Sequence, residues 1–208
     1  MGFVTERIVM KNMMKFSVMI LVEDLIRRMG DEKGLILVDI DGTLVFKTNV
    51  DKEGDKDFQG IVGFGKDFWD VWNEKTIHAK KLVIGVEVVK ELKRRGYTIV
   101  CVTVRGSSGR GVTVKKLKEI GVWGYVDGLW MRPLVCEKWY WEEEVNKNRK
   151  DSRNGKKWGS SETKDYLVGI IERRYKKKFI GALEDENFDM LERRGIEYIA
   201  AQRYGGGK

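Results

Sequence analysis

The stretch Leu35-Ile36-Leu37-Val38-Asp39-Ile40-Asp41-Gly42-Thr43 decides how the rest of the chain is read. Four unbroken apolar residues run into two carboxylates and a glycine. An apolar run that does not alternate suits a strand whose sheet is covered on both faces, as parallel sheets are. Leu35 to Ile40 is therefore read as a short buried strand. With Asp39 at its carboxyl end and Asp41 one step beyond, two carboxylates share one crevice, at the end of the sheet where α/β folds bind ligands. Like charges that close oppose each other's ionisation, and Mg2+, a hard cation that takes oxygen ligands from few protein groups, offsets that cost. Such a site suits phosphate chemistry. Asp39 is the expected nucleophile, since a carboxylate can attack phosphorus and leave an acyl phosphate that water later cleaves. Asp41 is expected to protonate the departing oxygen and then to help deprotonate the water. Gly42 permits a tight turn beside the phosphoryl group, and Thr43 places a hydroxyl near it.

Outward from this stretch the chain alternates strand and helix patterns. Residues 13 to 29 carry Met14, Val18, Leu21 and Leu25 on one stripe, the pattern of an amphipathic helix docked on a domain or held against a partner. Residues 1–30 are thus expected to form an N-terminal helical extension able to support a homodimer, and residues 31–208 the main domain. Residues 46 to 82 break the alternation. Charged Asp51 to Asp57, three glycines and the bulky Phe68, Trp69 and Trp72 read as a small insertion beside the sheet's active edge. Its tryptophans either anchor it to the core, close the site or stack on a base. Further expected elements are a helix from Gly85 to Arg95, a strand from Thr98 to Thr103, a helix capped by Thr113, and a strand within Val126 to Met131. A helix from about Glu162 to Tyr175, a strand at Phe179 to Leu183, a short helix with Phe188 and Leu191, and a strand around Glu197 to Ala200 complete the series, followed by a frayed tail from Tyr204. This is βαβ logic, hence an α/β fold with a central, mostly parallel sheet.

Composition bounds the reading. The chain has 208 residues, one domain's worth, which can bury roughly 70% of its extended surface without a disulfide or metal scaffold. Hydrophobic residues at 42% and charged residues at 35% exclude wholesale disorder, and 24 Gly with a single Pro exclude collagen-like and Pro-rich classes. Forty Lys and Arg against 32 Asp and Glu give +8, which favours approach to polyanions without fixing a reaction. Between Lys147 and Lys157 six basic residues stand against Asp151, within an expected basic loop at about 142–160. That loop is either a solvated surface segment or a rim that attracts phosphate. Cys101 and Cys136 form no local CxxC pair, and His78, the single histidine, excludes a histidine-rich metal site. The apolar run Phe16 to Val22 is shorter than the roughly 20 residues of a membrane helix. Glu23 and Asp24 follow it without a small-residue cleavage site, so neither membrane span nor signal peptide is expected, and the expected location is cytoplasmic.

The Asp39-Ile40-Asp41-Gly42-Thr43 segment resembles the first motif of the haloacid dehalogenase-like superfamily, most of whose members are Mg2+-dependent phosphohydrolases on a three-layer Rossmann-like fold. Thr103, in Val102-Thr103-Val104-Arg105-Gly106, resembles the second motif, which implies a hydroxyl on a nonbridging phosphate oxygen; Arg105 beyond it is expected to meet a phosphate or other anion. Lys164 resembles the third motif's phosphate-stabilising lysine. Glu184-Asp185-Glu186-Asn187-Phe188-Asp189 resembles the fourth, acidic motif, with Glu184 where many relatives carry Gly. The resemblance implies Mg2+ held by Asp39, the backbone carbonyl of Asp41 and Asp185, with Glu184 or Asp189 orienting a metal-bound water or Lys164.

Gly128-Leu129-Trp130-Met131-Arg132-Pro133 is similar to a strand-end element of the phosphatase domains of polynucleotide kinase-phosphatases, which implies Arg132 at a terminal phosphate or phosphodiester. Its alternative role is an ion pair at the sheet edge. The expected function is a Mg2+-dependent phosphomonoesterase acting through an aspartyl-phosphate on a nucleotide or other small phosphorylated metabolite. A polynucleotide 3′-phosphatase-like enzyme that binds a nucleic-acid end is the alternative. A non-catalytic nucleic-acid-binding or scaffolding domain is a third reading, against which the two intact acids argue, since unneutralised they repel a polyanion.

Overall fold

In this computed structural model the described residues are 2–46, 71, 77–132 and 160–204. Phe68, Trp69 and Trp72 of the expected insertion and the basic segment from Lys147 to Lys157 lie outside them. The elements are α1 (Gly2–Met29), β1 (Leu35–Val38), α2 (Val83–Arg94), β2 (Thr98–Gly106), α3 (Arg110–Glu119), β3 (Gly128–Arg132), α4 (Ser160–Tyr175), β4 (Phe179–Glu184), α5 (Phe188–Arg193) and β5 (Glu197–Ala200).

Five parallel strands form one sheet in the order β3-β2-β1-β4-β5. From β1 the chain winds to one side through β2 and β3, then returns to the other through β4 and β5. The reversal lies between β1 and β4, and it is at such a switch point that open α/β sheets form their ligand crevice. Val38 pairs with Leu183, so Asp39 and Glu184 leave the sheet at the same level on adjacent strands.

Strand alternation divides the core into two. Ile36 and Val38 pack with Val18, Val22 and Leu25 of α1 and with Val86, Val89 and Leu92 of α2. Leu35 and Leu37 pack on the opposite face with Leu167, Val168 and Ile171 of α4 and with Met190 and Leu191 of α5. The result is helices on both faces of a buried sheet, which explains why β1 reads as a continuous apolar run. Each full burial of such a side chain is worth about 1.5–3 kcal/mol.

Several sequence boundaries are corrected. The first helix begins at Gly2 rather than near residue 13, and its docked stripe is Val18, Val22 and Leu25, with Met14 and Leu21 only half buried. Thr113 caps nothing: α3 starts at Arg110 after Gly109, and Thr113 is buried inside it. β2 runs on to Gly106, but its ladder with β3 slips after Thr103, leaving Val104 and Arg105 between consecutive pairs. Tyr204 belongs to a 3-10 turn, Ala201–Tyr204, and its hydroxyl donates to the Thr43 carbonyl at 3.2 Å. At the two ends of the expected insertion the chain segments are joined. Phe46 donates its N–H to the Lys80 carbonyl and Leu82 donates to Leu44, each at 2.8 Å, around an antiparallel bridge from Val45 to Lys81.

Candidate active site

Parity along β1 places the Asp39 side chain on the α4 face, following Leu35 and Leu37. Lys164 reaches it from the first turns of α4, on the same helix face as Leu167 and Val168. Its ammonium donates to Asp39 Oδ1 at 2.7 Å and to Glu184 Oε1 and Oε2 at 2.9 and 2.7 Å, and all three side chains are buried. Desolvation alone would push the lysine toward neutrality, but Asp39 and Glu184 outweigh it and hold the ammonium above its ordinary range. Asp39 moves the other way from a surface carboxylate. Burial raises it well above its ordinary value, Lys164 pulls it down, and Glu184, Asp185 and Asp41 add to the rise.

Glu184 is fixed from behind. Its Oε1 also accepts from the backbone N–H of Asp185 at 3.2 Å and from Asn187 Nδ2 at 3.1 Å, and Asn187 Oδ1 accepts from Ser160 Oγ at 3.0 Å. Of the two candidates for orienting Lys164, Glu184 makes the contact, while Asp189 is exposed in the first turn of α5.

Asp41 has a different partner. Arg105 Nε and Nη2 donate to its two carboxylate oxygens at 2.7 and 2.6 Å, and Arg105 Nη1 donates to Thr113 Oγ1 at 3.4 Å. The sequence reading put Arg105 on a phosphate; here its guanidinium is 1% exposed and faces Asp41. Desolvation opposes its charge, yet the Asp41 carboxylate holds it above its ordinary range. Thr103, also buried, accepts the Arg105 backbone N–H at 3.2 Å. Thr43 is buried at the start of the same turn. Arg132 stands apart at the end of β3, donating to Thr163 Oγ1 at 3.0 Å, with burial lowering its pKa.

Asp185 meets the first loop edge-on. Gly42 has φ +81°, and a Cβ built there would lie 2.3 Å from Asp185 Oδ2. Only glycine lets the turn press against that carboxylate. Asp39, Glu184 and Asp185 each place one carboxylate oxygen within 4.8 Å of the others. Three anionic oxygens at this spacing are within a small side-chain adjustment of the about 3–4 Å that separates oxygens around one small octahedral cation. The donor set fits a hard divalent ion.

Sequence reasoning missed four supporting residues: Asn187 and Ser160 behind Glu184, Thr113 behind Arg105, and Tyr204 behind Thr43. A threonine on the inward face of α3 was a usable signal; the long-range contact of Tyr204 had none.

A family profile described as "HAD superfamily, subfamily IIIB (Acid phosphatase)" matches residues 5–157. The chain belongs to the haloacid dehalogenase superfamily. Among solved structures, a class C acid phosphatase from Bacillus anthracis with tungstate bound shares the fold, with a TM-score of 0.52 and 15% identity over 89% of this chain and 73% of that one. A chain of the Pnkp1/Rnl/Hen1 RNA repair complex gives 0.49 and 18%, covering 82% of this chain and 43% of that one. A substrate-bound phosphoserine phosphatase gives 0.46 and 20% over 82% and 87%. This chain therefore spans less than half the length of the repair-complex chain. No curated protein matches it. The matched span holds Asp39, Asp41 and Thr103 and ends before Lys164, Glu184 and Asp185, which in this superfamily member reach the site through α4 and β4. The chain is thus assigned to the haloacid dehalogenase-like phosphatase family and carries an acidic cluster able to coordinate a divalent metal. No helix among the described residues is long and apolar enough to cross a membrane.

Proposed function

We propose that this chain is a Mg2+-dependent phosphomonoesterase that forms an aspartyl-phosphate on Asp39. The observation that carries the reading is the position of that carboxylate, level with Glu184 at the switch point and held by the buried Lys164 at 2.7 Å. Asp39, Asp185 and the backbone carbonyl of Asp41 are the groups that would hold Mg2+. When bound, the ion supplies charge compensation for the crowded carboxylates and the phosphoryl oxygens.

Asp39 attacks phosphorus with one carboxylate oxygen as the ester oxygen departs, and that oxygen takes a proton from Asp41. Water then attacks the same phosphorus, Asp41 receives its proton, and the P–O bond to Asp39 breaks, returning the carboxylate and releasing phosphate. Lys164 offsets negative charge on the phosphoryl group, and Thr103 and Thr43 supply hydroxyls to its oxygens. Arg105 is a positioning residue in this scheme. Because it holds both Asp41 oxygens, Asp41 must turn one of them from the guanidinium to the leaving group.

The substrate reading is a nucleotide or other small phosphorylated metabolite. A nucleic-acid 3′ end is the alternative, favoured by Arg132, whose hydrogen-bond partner Thr163 is the neighbour of Lys164. A panel of nucleoside monophosphates, sugar phosphates and oligonucleotides with 3′ or 5′ phosphates, assayed with chelator and with Mg2+ restored, tests the proposal. Turnover without metal on every substrate would reject it. A steep loss of oligonucleotide turnover with salt, against a shallow one for a single phosphate, would favour the nucleic-acid end.

A further inference from the structure

The first helix is apolar on two opposite sides. Val18, Val22 and Leu25 face the sheet and α2, while Val9, Met13, Phe16 and Ile20 lie on the reverse face, 51%, 65%, 69% and 53% exposed. Between residues 9 and 17 of this helix, which is about 42 Å long, only Met14 is even half buried, so this stretch has little packed against it among the described residues. An exposed helical stretch of about a dozen residues is marginal in water by itself, and large apolar side chains on its outer face gain by burial against a partner.

We infer that this outer face pairs with the same face of a second copy, antiparallel, with Val9 of each helix against Ile20 of the other and Met13 against Phe16. The spacing of the four residues is 4, 3, 4, the seam repeat of packed helices. It reads the same in both directions, which is the condition for an isologous two-fold contact. Reversed onto itself, the seam places aliphatic on aliphatic at its ends and thioether on aromatic at its centre, a favourable sulfur contact. No charged residue interrupts the face between Val9 and Ile20, and Glu23 and Asp24 bound it, giving the apolar centre and charged rim of an interface. With Met10 and Met19 flanking the seam, six large apolar side chains between 38% and 69% exposed form a patch of several hundred Å2, on the order of a monomer's largest patch and of the area each partner buries in a small stable complex. The domain docks on the opposite side of the helix, so both copies retain their sheets and active sites. The inference is independent of the proposed reaction.

Sedimentation equilibrium of the full chain at micromolar concentration is expected to give twice the chain mass. Met13→Glu with Phe16→Glu should weaken association by roughly 30-fold or more while leaving the domain folded by near-ultraviolet circular dichroism, since both positions are exposed in one chain. Under mild oxidation a mixture of Met13→Cys and Phe16→Cys chains should form a mixed disulfide dimer that neither variant forms alone. A monomer at all concentrations overturns the inference, as does a dimer indifferent to the two glutamates. Cross-linking of Met13→Cys with itself would indicate a parallel pair and overturn the antiparallel one. A monomer that binds anionic lipid vesicles through the same face would assign the patch to a membrane surface instead.

Discussion

Two acids on one turn, two residues apart, are held in opposite ways. Asp39 shares a buried lysine with Glu184 and gives it only one oxygen. Asp41 is gripped by both oxygens in the fork of an arginine and is itself 18% exposed. A lysine is a point charge that leaves its partner free to turn, whereas a guanidinium fork fixes both oxygens in a plane. The nucleophile candidate is therefore oriented with an oxygen to spare, and the candidate proton carrier is parked. The two arrangements also differ in what surrounds them, because burial works against the charge on Asp39 while Asp41 keeps an outlet to solvent.

The comparison breaks most sharply at Asp39. Asp39→Asn is expected to abolish turnover, by about 10⁴-fold or more, with the fold retained by circular dichroism; residual steady-state hydrolysis near the parent rate would remove Asp39 from the nucleophile's role. The same variant tests the electrostatics. The raised Asp39 carboxyl means that, above the ordinary value of 3.8, the unfolded chain loses that proton before the folded chain does. Without metal, the stability linked to this group is thus highest in acid and declines as pH rises through the displaced range. The difference in stability between Asp39→Asn and the parent should grow in the variant's favour with rising pH, as read by urea unfolding in chelator. A constant difference would show that the carboxyl is not raised.

Next comes the shared lysine. Lys164→Ala leaves Asp39 and Glu184 buried without their cation and should cost about 3–5 kcal/mol of stability, measured by denaturant unfolding. Glu184→Gln preserves shape and removes one charge. It should retain the fold and lower kcat by about 10-fold or more, separating the loss of charge from the loss of packing.

The arginine side should give a smaller and more selective effect. Arg105→Lys keeps the charge and loses the fork, so poor alkyl leaving groups should suffer more than activated aryl phosphates, with kcat changing more than KM. Equal losses on both classes would mean that the fork does not position a proton donor. Smallest of all, Tyr204→Phe removes one hydrogen bond to Thr43 and should cost about 1 kcal/mol in thermal unfolding.

The succession of strands and helices along the chain, the buried first strand and the acids at its end were legible because they are local. Four apolar residues before Asp39 define parity, and parity defines which helix face Asp39 meets. Lys164 could be read from the residues around it, since Leu167, Val168 and Ile171 mark the inward face of α4. The partner of Arg105 could not be read in this way. A slip in the β2 ladder two residues long turns that side chain onto Asp41, and no residue pattern announces a slip that depends on how β3 pairs. The choice between Glu184 and Asp189 was likewise settled by a turn, which leaves Asp189 on the outer side of α5. The extent of α1 was misjudged because its first half has an outward apolar face, so no single stripe marks where it begins.

The bridge from Val45 to Lys81 gives the segment between them a narrow attachment. Its two ends enter and leave side by side, tied by backbone hydrogen bonds that make no demand on side-chain identity. Sequence of another length or composition could be spliced there without shifting β1, α2 or the turn that carries Asp41 and Gly42.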